Sequence, residues 1–242
     1  MKKYAGKIMM FSLVCLAAVV LGIIFAMPAK RAKAVPTITS SVITDWTAVA
    51  EGAVAESAII DISGNYMTAV HIQAFTDMND AHEGTIFEIH VSGASSGDED
   101  WTLYQTLGLW LAGDGDSEPI DDDPLAAEAK TITISNTGGG YETEPMGKWI
   151  AIEDGTLVNS ELVWITGFTT DTSITILNGT TNEHAKAETT LLWDVAISRT
   201  VIIPFGVGYR AKIVCNNAYD IDGTASSLNW KVGKTVTTDM EE

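Results

Sequence analysis

Residues 85–91 read Thr85-Ile86-Phe87-Glu88-Ile89-His90-Val91. In an extended chain Ile86, Glu88 and His90 fall on one face, and Phe87, Ile89 and Val91 on the other. That period of two belongs to a β-strand with one face buried. Upstream, Ala69–Phe75 alternates in the same way, with Val70, Ile72 and Ala74 on one face. Downstream, Trp101–Leu111 is aromatic and strand-like. Further out lie Ile59–Ile62, Thr131–Ser135, Lys148–Ile152, Glu161–Thr166, Ser173–Leu177, Thr189–Ile197, Thr200–Phe205, Tyr209–Asn216 and Leu228–Val236. Turn-forming stretches such as Ser63-Gly64-Asn65, Asn136–Gly140, Asp154-Gly155 and Asn178-Gly179 separate them. Beyond residue 35 no stretch shows a helical face; Ala81–Glu83 and Pro124–Lys130 suit about one turn each.

Short strands at close intervals predict an all-β chain whose alternating faces close between two sheets. The strand order is nested. Residues 58–130 and 189–236 are expected to form a β-sandwich, with 131–188 as an inserted small β-barrel-like subdomain. Residues 35–57 read as an extended lead-in and 237–242 as an acidic tail. The lead-in and the last residues, from 235 on, are expected to be mobile and to reach a neighbouring subunit.

The first 34 residues differ from the rest. Lys2, Lys3 and Lys7 precede an uncharged run from Ile8 to Met27, and Ala32-Lys33-Ala34 offers small residues for cleavage before Val35. The run is also long enough to span a bilayer. The reading is a signal peptide or an N-terminal membrane anchor, with the body outside the cytoplasm, secreted or at the cell surface. Six of the 14 basic groups lie in this leader, which holds no acid. Eight then face 32 acids in the body, a net charge near −24. Such a body repels phosphate backbones, so nucleic acid is excluded as a partner. A membrane contact is expected only through residues 8–27. Cys215 is alone beyond the leader and reads as a buried thiol in a strand.

Residues 131–194 resemble a module that recurs in β-rich structural proteins of tailed phages and prophages. The likeness rests on the Thr131–Ser135 strand, Gly140-Tyr141, Trp149–Gly155 ending in Asp-Gly, the Glu-led strand Glu161–Thr166, Ser173–Leu177, and Gly179-Thr180…His184. The flanks are similar too, at Asp61–Gly64, Ser96–Trp101 and Cys215–Gly223. Met146-Gly147-Lys148 stands where such modules carry Gly-Asp. The resemblance implies a structural protein and places His184 in a turn, with a structural hydrogen bond. The leader sets this chain apart from virion proteins, which assemble in the cytoplasm, and implies a relative working at the cell surface.

The sequence offers few sites for chemistry. Asp114, Asp116, Glu118, Asp121, Asp122 and Asp123 alternate along a loop in a way that could turn oxygens toward Ca²⁺, although the spacing is not that of an EF-hand. A solvated loop is the competing reading. His71, His82, His90 and His184 are scattered; His71 and His90 could face each other across paired strands. Of seven tryptophans, Trp149, Trp164 and Trp193 sit on apolar strands and are expected in cores. Trp46 and Trp101, flanked by polar and acidic residues, are the expected exposed platform for a ligand such as a glycan. No nucleophile elbow, phosphate-cradling loop or zinc-protease motif is present. The expected function is a non-enzymatic structural or adhesive subunit that assembles with itself or other surface proteins through sheet edges and loops. The alternatives are a carbohydrate- or surface-binding module and a phage-derived virion structural protein.

Overall fold

The computed structural model describes residues 37–50, 52–76, 82–97, 100–111, 117–134, 147–169, 172–192, 196–217 and 228–238. They belong to one compact unit spanning 36–239. Its strands are β1 (Thr37–Val49), β2 (Val54–Glu56), β3 (Ile60–Asp61), β4 (Met67–Thr76), β5 (His82–Ser92), β6 (Trp101–Leu111), β7 (Ser117–Pro119), β8 (Thr131–Thr133), β9 (Trp149–Asp154), β10 (Glu161–Thr169), β11 (Ser173–Ile176), β12 (Thr189–Leu192), β13 (Ala196–Pro204), β14 (Arg210–Asn216) and β15 (Leu228–Thr238). Among the described residues the only helical pieces are single 3₁₀ turns at Leu157–Asn159 and Lys186–Glu188. None is long and apolar enough to cross a membrane. The leader, including Ile8–Met27 and the cleavage site, lies outside the described residues.

The protein is all-β. A four-stranded sheet runs β1-β15-β4-β13 and a five-stranded sheet includes β2-β14-β5-β6, with β3 also pairing β14; every pairing is antiparallel. Their facing sides make the main core. Val70, Ile72, Trp230 and Val232 come from the first sheet, and Phe87, Ile89, Ala211 and Ile213 from the second. Phe87 and Trp230 meet with ring centroids 5.7 Å apart. Full burial of one such side chain stabilises by about 1.5–3 kcal/mol. The alternation read at 85–91 and 69–75 places these residues inward, as expected.

The third sheet is six-stranded, in the order β7-β12-β9-β10-β11-β8. Its interior is lined by Ile120, Ile132, Ile150, Ile152, Val163, Ile165, Ile174 and Leu191. A bridge between Ile120 and Ile134, just beyond β7 and β8, joins the two edges. The Asp121 N–H also donates to the Thr133 carbonyl at 2.8 Å. The sheet therefore curls back on itself. The expected limits of 131 and 188 fall inside this sheet. β7 and β12 pair with each other, and β12 pairs β9, so residues 117–130 and 189–192 go with the curled sheet and not the sandwich. The run Thr189–Ile197 is accordingly split into β12 and the start of β13. A third, smaller cluster joins the curled sheet to the outer face of the four-stranded one: Trp46 and Phe75 pack on Ala151, Leu162 and Leu192.

The expected mobile ends are corrected. Residues 37–49 form β1, which pairs with β15 from Thr37↔Thr238 to Val49↔Leu228. The lead-in and the last described residues are each other's ladder partners, because both are rich in β-branched residues and satisfy their backbone groups together.

Candidate functional site

The Asp-Gly, Glu-led and Gly-Thr…His signatures converge on one buried node. Asp154 ends β9 and Glu161 begins β10. Between them lies His184, fully buried, with Nδ1 3.1 Å from Asp154 Oδ2 and Nε2 2.8 Å from Glu161 Oε1. Glu161 also accepts from the backbone N–H groups of Thr181 (2.7 Å) and Asn182 (3.3 Å). Asp154 accepts from the Thr156 N–H at 2.9 Å.

Burial alone would push the Asp154 carboxyl up, but the Thr156 N–H and the His184 ring outweigh it and hold it below its ordinary value. Glu161 behaves likewise: burial raises it, and His184 with the Thr181 and Asn182 N–H groups brings it down. Burial lowers His184, and the two carboxylates more than reverse this, so its pKa is raised. The structural hydrogen bond expected of His184 is present, twice over.

The rest of the signature clamps the 125–130 segment. Thr180 Oγ1 donates to the Ala126 carbonyl at 2.8 Å and accepts from the Ala129 N–H at 3.2 Å. Leu125 and His184 exchange backbone hydrogen bonds, each of 2.9 Å. A Cβ on Gly179 would lie 2.5 Å from the Glu128 carbonyl oxygen, which is why that position is glycine.

The acidic loop is spread out. Asp114 and Asp116 lie outside the described residues. Glu118 is buried on β7. Asp121 pairs with Lys186 at 2.7 Å, and Asp122 accepts the Thr133 N–H at 2.7 Å. Asp123 precedes Pro124 across a cis peptide bond. Among the described residues no three His, Cys, Asp or Glu side chains converge as metal ligands.

His71 and His90 stand on different sheets, so they do not face each other. His71 bridges strands, 2.9 Å from both Thr200 Oγ1 on β13 and Thr235 Oγ1 on β15, and burial lowers its pKa. His90 Nε2 lies 2.9 Å from Glu88. The side chains of His82 and Trp110 lie outside the described set, as does Trp193. Cys215 is fully buried, and burial pushes its thiol up to about 12.

The tryptophan expectations are largely reversed. Trp46 is buried, 6% exposed, edge-on to Phe75 at 5.0 Å, with Lys231 Nζ 5.7 Å from its ring. The same Lys231 ammonium lies 3.1 Å from the carboxylate of its neighbour Asp45. Trp101 is only partly exposed, and Lys212 Nζ (5.0 Å) and Arg210 Cζ (5.8 Å) cover its ring. Neither offers a free platform. Trp149 and Trp164, expected in a core, are instead partly exposed. They are cross-strand partners on β9 and β10 with centroids 5.3 Å apart and planes at 69°. Together with Glu161, Asn178, Thr181 and Gln73 they line a cleft of about 230 Å³ between the curled sheet and β4. Gln73 also lines an open groove of about 530 Å³ along the outer face of the four-stranded sheet, beside His71, Ser41, Lys231 and Thr235. Periodicity could not have placed this pair: Val163 and Ile165 point inward, Leu162 and Trp164 outward, and both rows are apolar. Apolar residues on both faces of a barrel strand were the available signal that something packs outside it.

No protein-family model and no curated protein matches the sequence. Among solved structures, VP17, a capsid protein of bacteriophage P23-77, aligns over 86% of this chain and all of its own, with 10% identity and a TM-score of 0.19. The infectious bursal disease virus Gx strain structure aligns over 85% of this chain and 40% of its own, with 8% identity and a TM-score of 0.22. The VP16-VP17 complex of the two major capsid proteins of P23-77 covers 81% of this chain and 98% of its own, at 9% identity and a TM-score of 0.17. Scores this low do not amount to a shared topology.

Proposed function

We propose that this chain is a non-enzymatic structural subunit, working outside the cytoplasm, whose copies associate by strand addition at the free edge of β1. The edge itself carries the reading. Sheets that must not associate blunt their edges with short strands, bulges, charges or proline. β2, β7 and β8 have three residues each. β13 carries Arg199 and Pro204. β6 is kinked by a bulge at Tyr104, between the pairs Ile89↔Gln105 and His90↔Leu103. β1 differs. From Thr37 to Val42 it keeps unbroken register with β15, and all six residues are exposed. The segment, Thr-Ile-Thr-Ser-Ser-Val, has neither charge nor proline. Ile38 and Val42 are 68% and 57% exposed. An edge of this kind is a template for another strand.

The extracytoplasmic placement rests on the leader. A structural role is further supported by the phage-protein resemblance of residues 131–194. Sedimentation of residues 35–242 over a range of concentrations tests the proposal. Concentration-dependent association is the expected result; a strict monomer at the highest concentration would overturn it.

A further inference from the structure

We infer that the cleft at Trp149 and Trp164 is a binding site for a neutral pyranose sugar. Indole rings at the surface of a folded chain usually find cover; here two adjacent ones keep part of their surface in water. Their planes stand at 69°, so they form a corner and not a slot. A flat aromatic ligand needs a parallel face on each side. A sugar chair suits a corner, because its C–H face rests on one indole while its edge meets the other. The rim supplies what a ring of hydroxyls requires: the amides of Asn178 and Gln73 and the hydroxyl of Thr181.

The wall is rigid. Glu161 accepts the Thr181 and Asn182 N–H groups and is itself held by His184, so the turn carrying Asn178 and Thr181 is fixed before any ligand arrives. Glu161 is thus a positioning residue. The volume of about 230 Å³ lies under the roughly 300 Å³ at which drug-sized pockets begin, so it suits one ring. Further units of a glycan could continue past Gln73 into the open groove beside His71 and Lys231. The Glu161 carboxylate on the lining and a net charge near −24 for the body, eight basic groups against 32 acidic ones, select against anionic sugars.

The cleft itself shares no lining residue with the β1 edge, whereas the open groove includes Ser40, Ser41 and Val42 of that edge, so single-ring sugars test the cleft apart from the edge. The test is saturation-transfer NMR on the whole secreted body, at about 10 mM of the methyl glycosides of glucose, galactose and mannose and of N-acetylglucosamine. Sialyllactose and choline complete the set. The expected result is transfer to the ring C–H protons of at least one neutral sugar, with quenching of tryptophan fluorescence. Affinity should fall about tenfold in Trp164→Ala. Since that change could loosen the seam, Thr181→Ala and Asn178→Ala, both at exposed positions, should also weaken binding with an unchanged melting temperature. Absence of transfer to every neutral sugar, binding of sialyllactose or choline alone, or binding unaltered in all three variants would each overturn the proposal.

Discussion

Asp154, Glu161, Thr180 and His184 lie within 31 residues of chain and close one corner of the curled sheet. The His184 side chain is fully buried, and those of Asp154 and Glu161 are 7% and 11% exposed. Removing the imidazole leaves two carboxylates facing each other out of water. His184→Ala should therefore cost about 3 kcal/mol or more, read by urea denaturation. The pH dependence has a definite shape. The raised pKa of His184 makes its stabilisation complete below the ordinary value of 6.5, and rising pH removes it through the folded value. The lowered carboxylates stabilise fully above their ordinary values of 3.8 and 4.5, and falling pH removes this through the folded values. The contribution of the node should be flat from about pH 4.5 to 6.5 and decline on both sides. In His184→Ala the decline above 6.5 should vanish. The sequence could locate His184 in a turn through the phage-protein resemblance. It could not bring the two carboxylates to it, because the strands that carry them are separated by a turn whose geometry no spacing rule specifies.

At the scale of strands, the decisive element is β1. Ile38→Lys with Val42→Lys places two charges on its exposed stretch. Neither side chain is buried, so stability should change by about 0.5 kcal/mol or less. Association measured by sedimentation should nevertheless fall sharply, since a charged edge cannot be matched by an identical neighbour. A control pair on β13, whose edge is already charged, should leave association unchanged. Most strands were legible because one face is buried and the period of two is clean, as in 69–75, 85–91 and 210–216. β1 was legible only as an extended lead-in with room for one strand, and its length and partner were not, since its first six residues are exposed on both faces. It forms because β15 offers a complete row of backbone partners. Trp46 was misplaced for a related reason. Its sequence neighbours are polar, but the bulged register between Thr44 and Thr47 rotates it onto Phe75.

At the scale of the molecule, the curled sheet and the sandwich are joined through Phe75, Trp46, Leu162 and Leu192. Phe75 is fully buried at this seam. Phe75→Ala should cost about 3–5 kcal/mol. It should also separate thermal unfolding into two steps by calorimetry, because the two larger cores do not share it. This joint was invisible in the sequence, where nothing distinguishes an outward-facing apolar residue that meets another sheet from one that meets solvent.

The antiparallel pairing of Thr37 with Thr238 has a mechanical consequence. If a load is applied to the protein through these two positions, it reaches the β1–β15 ladder at its open end. The hydrogen bonds then break one after another, like a zipper, and are not sheared together. A subunit tethered through one of these ends and pulled through the other would yield at low force from that corner inward. One gripped along the flank of β1 by a neighbouring strand would load many bonds at once and resist.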